Sequence, residues 1–333
     1  MRRLIAALTL FAFVLSPACS SSAADDASAP TGAATAATPG KTGYVSAVGA
    51  RLQDTVGGGE TRTIVKFDDG SALMDPALSP DGRKIAFIRQ EPAKNLSGSQ
   101  IDFGADLYIV NRDGSGLREL AHHSALAEYV RGPSWLDNGH LLFSVRGRTA
   151  TGTADYRLER IDVATGQRTR LTQNAVDPSV ASDGRQMLYI SVETATTRET
   201  LVLSDVDGGN ARDLLPPTPV LTLLGSAVMS PDGTQVAFAA GDLAGALGSR
   251  SPRSMAAEHP FFQDVWLINA DGTNLRRIAE VVEKSLSLSW SPDGKSIYAM
   301  GTEKFRRIDL ATGTIAVLSE GAPQAGVFVY EQR

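Results

Sequence analysis

The sequence has little of what several functional classes require. Among 333 residues there is one cysteine, Cys19, so no disulfide can form within the chain and packing has to supply its stability. Apart from residues 4–15 no apolar run approaches the roughly 20 residues that cross a bilayer as a helix, so we expect no spanning helix in the mature chain. Lys and Arg are dispersed and the net charge is -5, which argues against a nucleic-acid partner.

Catalytic and metal-binding spacings are also missing. The histidines match no His-Glu-x-x-His or related spacing, so we predict no metal site and no other cofactor; the four are His122, His123, His140 and His259. No Gly-x-Ser-x-Gly elbow is present, and the glycine run at 57–59 lacks the lysine that follows a phosphate-binding loop. We therefore expect a protein that is not an enzyme.

The N-terminus has the pattern of an export signal. Arg2 and Arg3 precede a nearly continuous apolar stretch at 4–15, and small residues lead up to Cys19. This arrangement resembles a bacterial lipoprotein signal, which implies cleavage after residue 18 and a lipid on the thiol of Cys19. Ordinary signal cleavage nearby, with Cys19 incidental, is the alternative.

Residues 19–41 are predicted to be a tether. They contain almost no large apolar side chain and are rich in Ala, Ser, Thr and Pro, so they cannot bury enough surface to offset the entropy of ordering. The chain thus divides into a signal peptide at 1–18, a lipid-anchored disordered tether at 19–41 and a folded domain at 42–333.

The folded domain is built from a repeated turn. Five copies of a Ser-Pro-Asp-Gly-like sequence are each followed by a short apolar strand and then by a second strand pair; the copies lie at 76–82, 133–139, 178–184, 227–233 and 288–294. Proline, aspartate and a glycine with positive φ are what such a turn between antiparallel strands needs. The turn glycines are 45–61 residues apart, close to the length of a propeller blade with enlarged loops.

Four strands per repeat, without helical periodicity between repeats, predict an all-β, six-bladed propeller. Five blades come from the five repeats. The sixth is predicted to combine strands at 42–70 with the C-terminal strand at 327–330, which removes exposed sheet edges. The pattern of the turn, the apolar strand and an Asp-Leu-Tyr-like strand resembles TolB-like and WD-repeat-like propellers of the bacterial envelope, which implies that fold and an envelope role.

Two sets of repeated residues are predicted to be structural. Trp135 and Trp290 hold the repeat position of Leu78, Val180 and Met229, so they should pack between blades. The turn aspartates recur because the turn requires them; they are Asp81, Asp183, Asp232 and Asp293.

Two candidate sites remain. Long insertions at 91–105 and 241–262 interrupt the repeat, and loops on one propeller face are where binding usually resides. The second insertion carries the aromatic and charged residues expected at a partner-binding surface, namely Arg250, Arg253, Glu258, His259, Phe261 and Phe262. The residues placed just before each innermost strand predict a polar ring at the channel mouth, formed by Asp75, Arg131 with Gly132, Asp177, Ser226 and Ser287.

These patterns favour a monomeric, non-enzymatic propeller lipoprotein that binds envelope proteins. It would lie on the outer face of the cell membrane, or in the periplasm or at the outer membrane of a host with two membranes. The alternatives are a propeller that binds a small molecule, or a metal-dependent hydrolase or lyase, acting at the channel mouth. A purely structural or sensory subunit of an envelope complex is a third possibility.

Overall fold

A computed structural model describes residues 42–331 except 57–58, 93, 96–100, 103, 124–127, 149–152, 194–195, 197, 217–220, 243–261, 284 and 321–323. The signal peptide, Cys19 and the tether therefore lie outside the described residues. Within the described ranges the secondary structure is strand and turn, and no helix is long and apolar enough to cross a membrane.

The described residues form 26 strands. In chain order they are β1 (Thr42–Val48), β2 (Arg51–Val56), β3 (Glu60–Lys66), β4 (Ala72–Leu78), β5 (Lys84–Gln90), β6 (Lys94–Asn95), β7 (Ile101–Asp102), β8 (Ala105–Asn111), β9 (Arg118–Ala121), β10 (Tyr129–Trp135), β11 (His140–Arg148), β12 (Ala154–Asp162), β13 (Arg168–Gln173), β14 (Ala175–Val180), β15 (Gln186–Glu193), β16 (Arg198–Asp205), β17 (Arg212–Asp213), β18 (Leu221–Met229), β19 (Gln235–Asp242), β20 (Gln263–Asn269), β21 (Arg276–Glu283), β22 (Ser287–Trp290), β23 (Ser296–Met300), β24 (Lys304–Asp309), β25 (Ile315–Glu320) and β26 (Gln324–Glu331).

Six antiparallel sheets of four strands make the blades. From the innermost strand outward, blade 1 is β26, β1, β2 and β3, and blade 2 is β4, β5, β8 and β9. Blades 3 to 6 take the remaining strands in chain order, four at a time, from β10 to β25. The innermost strands contact one another in sequence around the ring, and β22 meets β26, which meets β4. The predicted six-bladed propeller is confirmed.

The composite blade joins the two ends of the domain. Strand β26 pairs antiparallel with β1, with Tyr44 opposite Val329 and Val45 opposite Phe328. The last segment of the chain thus supplies the innermost strand of blade 1, and the first segment supplies the other three. This arrangement confirms the predicted closure, because the two terminal segments pair with each other within one sheet.

The repeated turn forms the same hydrogen bonds in several blades. Ser79 Oγ donates to Asp81 Oδ1 at 2.6 Å and accepts from the backbone N–H of Lys84 at 2.9 Å. Equivalent pairs of bonds occur at Ser230 and Ser291. Gly82 has a φ of 69°, a conformation that an added Cβ would strain. The turn aspartates are therefore structural, as the repeat predicted.

The core lies between blades. Four fully buried phenylalanines occupy it in four different blades, namely Phe87, Phe143, Phe238 and Phe305. Trp135 is 7% exposed and its Nε1–H donates to Ala77 O of the preceding blade at 2.9 Å. Trp290 is equally buried and donates to Val228 O at 3.0 Å. Both tryptophans pack between blades, as predicted, and each also forms a hydrogen bond across the blade boundary.

Three side chains reinforce the junction between blades 1 and 2. Tyr330, on β26, donates its hydroxyl proton to Asp54 Oδ1 at 2.5 Å. From blade 2, Arg112 Nε donates to Asp54 Oδ2 at 2.9 Å, and its guanidinium carbon lies 4.3 Å from the centre of the Tyr330 ring. Because Asp54 is only 3% exposed, these hydrogen bonds offset the cost of burying its carboxylate.

Replacing Tyr330 with Phe tests this junction. The substitution removes the hydrogen bond to the buried carboxylate of Asp54 and the acceptor for Arg112 Nη2, so the free energy of unfolding should fall by roughly 1.5–3 kcal/mol. Urea unfolding at neutral pH measures the change. The matched control is Tyr298→Phe, because Tyr298 is also 8% exposed but its hydroxyl has no hydrogen bond among the described residues. Equal losses in the two variants would contradict a special role for Tyr330.

Candidate functional site: the central channel

The innermost strands of four blades bulge at one shared position. Asp75, Gly132, Asp177 and Ser226 have φ angles of 50°, 59°, 52° and 44°, and the strand register shifts at each of them. In three of the four cases the next residue is proline, which has no N–H for the ladder, so a bulge is favoured there. The sequence analysis placed these residues just before the strands, and that placement is wrong: they lie within the strands, at the bulges.

The predicted channel residues line one central cavity of about 1570 Å³. Asp75, Arg131, Asp177, Ser226 and Ser287 all contribute to its wall. Residues at the same position of different repeats therefore lie together in this wall, although some are more than 200 positions apart in the sequence. Their individual environments differ, and these differences decide what each residue can do.

Asp75 and Arg131 form a bidentate ion pair between blades 2 and 3. Arg131 Nε donates to Asp75 Oδ2 at 2.7 Å and Nη2 donates to Oδ1 at 3.2 Å, while the N–H of Gly132 also donates to Oδ2 at 3.1 Å. Burial disfavours the carboxylate, but the charge and hydrogen bonds of Arg131 outweigh it and hold the pKa of Asp75 below its usual 3.8. The charge of Asp75 in turn raises the pKa of Arg131.

A second arginine, Arg146, continues the charged wall toward blade 4. Its Nη2 donates to Asp177 Oδ1 at 2.5 Å. Burial opposes its charge, and the nearby Asp177 carboxylate reverses that effect and raises the pKa of Arg146. Among the described residues, Arg146 Nε is the one buried side-chain nitrogen or oxygen without a hydrogen-bond partner.

Sequence reasoning missed Arg146. It lies on β11, the second strand of blade 3, immediately after Val145, which is fully buried. Two features of the sequence could have identified it. Arg146 is a charged residue near the end of an otherwise apolar strand, and the preceding strand carries Arg131. Arg146 pairs in register with Tyr129 and Arg131 with Ser144, so only strand pairing shows that the two guanidinium groups share one blade.

Glu199, on β16 of blade 4, is an acidic group near Arg146 and Asp177 whose pKa moves in the opposite direction to that of Asp75. Burial raises the pKa of Glu199, although the backbone N–H of Leu224 in the next blade donates to its Oε2 at 2.8 Å. Arg146 and Asp177 both act on it electrostatically, with opposite signs. Glu199 is a further residue that sequence analysis did not identify.

The two serines of the predicted ring have a mainly structural role. The N–H of Leu288 donates to Ser226 Oγ at 2.7 Å, and the N–H of Val327 donates to Ser287 Oγ at 3.2 Å. Each hydroxyl oxygen therefore links its own blade to the next one around the ring. Among the described residues, the ion pairs whose two members both line the cavity come from blades 2, 3 and 4.

The predicted insertions leave the blades at one end. Arg146 lies near the end of β11 that is opposite the repeated turn, and the connections that follow β5 and β19 leave from the corresponding ends of their blades. In the first insertion, Lys94–Asn95 pairs with Ile101–Asp102 as a short ribbon. In the second, Phe262 is half-buried just before β20.

The other predicted partner-binding residues of the second insertion lie outside the described residues. They are Arg250, Arg253, Glu258, His259 and Phe261.

The charged groups of the wall are arginine and aspartate side chains that form ion pairs with one another. Two guanidinium groups of blade 3 are flanked by a carboxylate from blade 2 and another from blade 4. Such a surface can hydrogen-bond a ligand that carries both donors and acceptors, because each ion pair presents both to the cavity. Asp75 stays ionised and arginine stays protonated at neutral pH, so this pair is suited to binding more than to proton transfer.

Replacing Asp75 with Asn should destabilise the fold at pH 7, because Arg131 would lose its bidentate partner. The pKa of Asp75 is lowered in the folded state, so its stabilisation is present above 3.8 and is lost as the pH falls further. The difference in free energy of unfolding between wild type and variant should therefore shrink below about pH 4. Urea unfolding at several pH values measures it, with the exposed Glu60→Gln as control. A difference independent of pH would contradict the ion pair.

Comparison with known proteins supports the architecture. No family model matches the chain, and no curated protein matches it in sequence. Its structure is similar to TolB from Acinetobacter baumannii, with a TM-score of 0.60 and 16% identity over 87% of this chain and 66% of that one. It is also similar to the hydrazine synthase of Kuenenia stuttgartiensis, with a TM-score of 0.61 and 13% identity over 88% of this chain and 47% of that one.

The chain spans less than two thirds of the length of either of these solved structures. At such identities the likeness concerns the fold alone. The resemblance inferred from the repeat is confirmed at that level: the chain is a six-bladed β-propeller whose fold is similar to that of TolB.

Proposed function

We propose that this protein is a non-enzymatic interaction module of the bacterial envelope, tethered by a lipid on Cys19, which receives a polypeptide segment at its channel mouth. The observation that carries the proposal is the ion-paired wall of blades 2 to 4, which lies toward the end of the ring from which both long insertions leave. The partner would contact the insertions and place a polar segment against this wall.

The size of the cavity favours a polypeptide over a small molecule. Its volume of about 1570 Å³ exceeds the roughly 300–1000 Å³ of pockets that enclose drug-sized ligands. A polypeptide presents N–H and C=O groups at regular intervals, and the paired Asp and Arg side chains offer acceptors and donors in alternation around the wall. Rigid walls and paired charges also keep the entropic cost of ordering low on the side of the propeller.

A small anionic ligand is the second candidate. Its support is the exposed side of Arg146, which lines the cavity and is 30% exposed while its Nη2 binds Asp177. A carboxylate or phosphate group could accept from this side of the arginine. A metal-dependent hydrolase or lyase is less well supported at this wall, because the carboxylates of Asp75 and Asp177 already bind arginines.

Cross-linking in cells followed by mass spectrometry tests the leading proposal. An affinity-tagged full-length chain should capture the same envelope proteins as wild type when the exposed Arg51 is replaced with Gln. Arg146→Gln should reduce that capture by about tenfold or more, because it removes a charge that a partner would bury at the wall. Circular dichroism and melting confirm that both variants are folded.

If Arg146→Gln is folded and still captures every partner in wild-type amounts, the wall is not the contact site and the proposal fails. Loss of capture that free acetate or phosphate reproduces in wild type would favour the small-ligand candidate instead. The tether is tested in the same cells with Cys19→Ala, which should move the protein from the membrane to the soluble fraction. Unchanged fractionation would overturn the lipid anchor.

A further inference from the structure

A second polar cluster lies in blade 2, where β8 begins and β9 ends. His123 Nδ1 lies 2.7 Å from Asp106 Oδ1, and His122 Nδ1 lies 3.1 Å from Asp106 Oδ2. His122 Nδ1 also lies 3.4 Å from Glu119 Oε1. Two imidazoles that follow one another in the chain thus face one carboxylate. They can do so because β9 ends at Ala121, so the alternation of a strand no longer separates them.

The carboxylate of Asp106 has a structural counterpart elsewhere in the ring. In blade 5, Asp264 occupies the same place, and its Oδ1 accepts from the backbone N–H of Val281 at 2.9 Å. In blade 2, Asp106 Oδ1 accepts from the backbone N–H of His123 at 2.6 Å. An aspartate at this position therefore caps a backbone amide of the outer strand, near the strand's end in blade 5 and just beyond it in blade 2. The cap alone requires the aspartate and a backbone amide, and it does not require histidine.

The two blades differ in the side chain that contacts the second carboxylate oxygen of the aspartate, Oδ2. In blade 5, Arg277 Nη1 donates to Asp264 Oδ2 at 3.1 Å and balances its charge. In blade 2, Glu119 lies opposite Tyr108, two residues after Asp106. In blade 5, Arg277 lies opposite Trp266, two residues after Asp264. Glu119 therefore occupies in blade 2 the position that Arg277 occupies in blade 5. Blade 2 therefore gathers two carboxylates and two imidazoles at one point.

We propose that Asp106, Glu119, His122 and His123 bind a divalent transition-metal ion of the zinc class. The candidate atoms of Asp106, His122 and His123 lie within 4.8 Å of one another, and Glu119 Oε1 is adjacent. Ligands about 2.0–2.2 Å from a tetrahedral ion are separated by about 3.4 Å. To admit the ion, the 2.7 Å contact between His123 Nδ1 and Asp106 Oδ1 would lengthen by about 0.7 Å and the 3.1 Å contact between His122 Nδ1 and Asp106 Oδ2 by about 0.3 Å. Mixed imidazole and carboxylate donors suit zinc and its neighbours better than Ca²⁺ or Mg²⁺.

The surrounding groups fit this role. Tyr108 donates its hydroxyl proton to Glu119 Oε2 at 3.2 Å, which leaves Oε1 directed toward His122. Arg168 Nη1 donates to the backbone O of His122 at 3.2 Å and fixes the chain there. Such outer contacts orient metal ligands. His122 is 61% exposed and His123 is 9% exposed, so an ion could enter from solvent and be held partly buried.

The cluster also borders the first insertion. A Cβ on Gly104, which has a φ of 33°, would lie 3.5 Å from His123 Cε1 and 3.7 Å from Glu91 Cβ. A bound ion would therefore be expected to steady the segment through which this insertion rejoins β8. The spacing rules applied to the sequence missed the cluster because its ligands come from two strands and neither histidine lies in a metal-binding motif.

Zinc titration of the full-length chain, purified without a polyhistidine tag, tests the proposal. All variants carry Cys19→Ser so that no thiol competes. Isothermal calorimetry and elemental analysis should show one Zn²⁺ per chain in the parent, and His122→Ala should weaken binding by about tenfold or more, since even indirect ligand contacts are worth that much. Glu119→Gln should also weaken it. Zn²⁺ should raise the melting temperature of the parent but not of His122→Ala.

The matched control is His140→Ala, because His140 also lies beside a carboxylate, 3.0 Å from Asp137 Oδ2, but has no second histidine next to it. It should bind zinc as the parent does. His122 is largely exposed, so its replacement should leave the metal-free fold intact, which circular dichroism checks. A parent that binds no stoichiometric zinc would overturn the proposal. Equal zinc affinity in His122→Ala and His140→Ala would overturn it as well.

Discussion

The pairing of β26 with β1 is the interaction on which the rest of the structure depends. A blade cannot bury both of its faces alone, so six blades become stable only when the last packs against the first. Here the closing blade takes one strand from the C-terminal end and three from the N-terminal end. The Asp54, Arg112 and Tyr330 contacts then join this blade to blade 2. Without closure, the central cavity would have no continuous wall.

Closure also explains why charged groups can line the channel. Asp75 and Asp177 lie at bulges and line the cavity, and blade 3, which stands between them, supplies an arginine to each: Arg131 to Asp75 and Arg146 to Asp177. Each carboxylate is paired with an arginine, so the attraction within the pair offsets the cost of removing both charges from water. The channel is therefore rigid and polar at the same time.

The candidate functional residues lie where the sequence departs from the repeat. The turn aspartates and the inter-blade tryptophans recur and have structural roles. Arg146 and the pair His122 and His123 have no equivalent of this kind in the repeat. The blade 2 cluster shows this most clearly, because blade 5 preserves the capping aspartate and lacks the histidines. In a repeat protein, equivalent positions of different blades can be compared with one another. Residues that recur have structural roles, and residues that occur in one blade alone are candidates for function.

The sequence by itself determined the strand order, the six blades, the composite closure and the five residues that reach the cavity wall. It could do so because turns, apolar alternation and repeat position are local signals that survive in every copy. Only the tertiary structure decided which charges meet. Arg131 meets Asp75 across 56 residues, Arg146 meets Asp177 across 31, and the two histidines meet Asp106 from the adjacent strand. Such pairings depend on strand register and blade contacts, and these are fixed by packing over the whole ring.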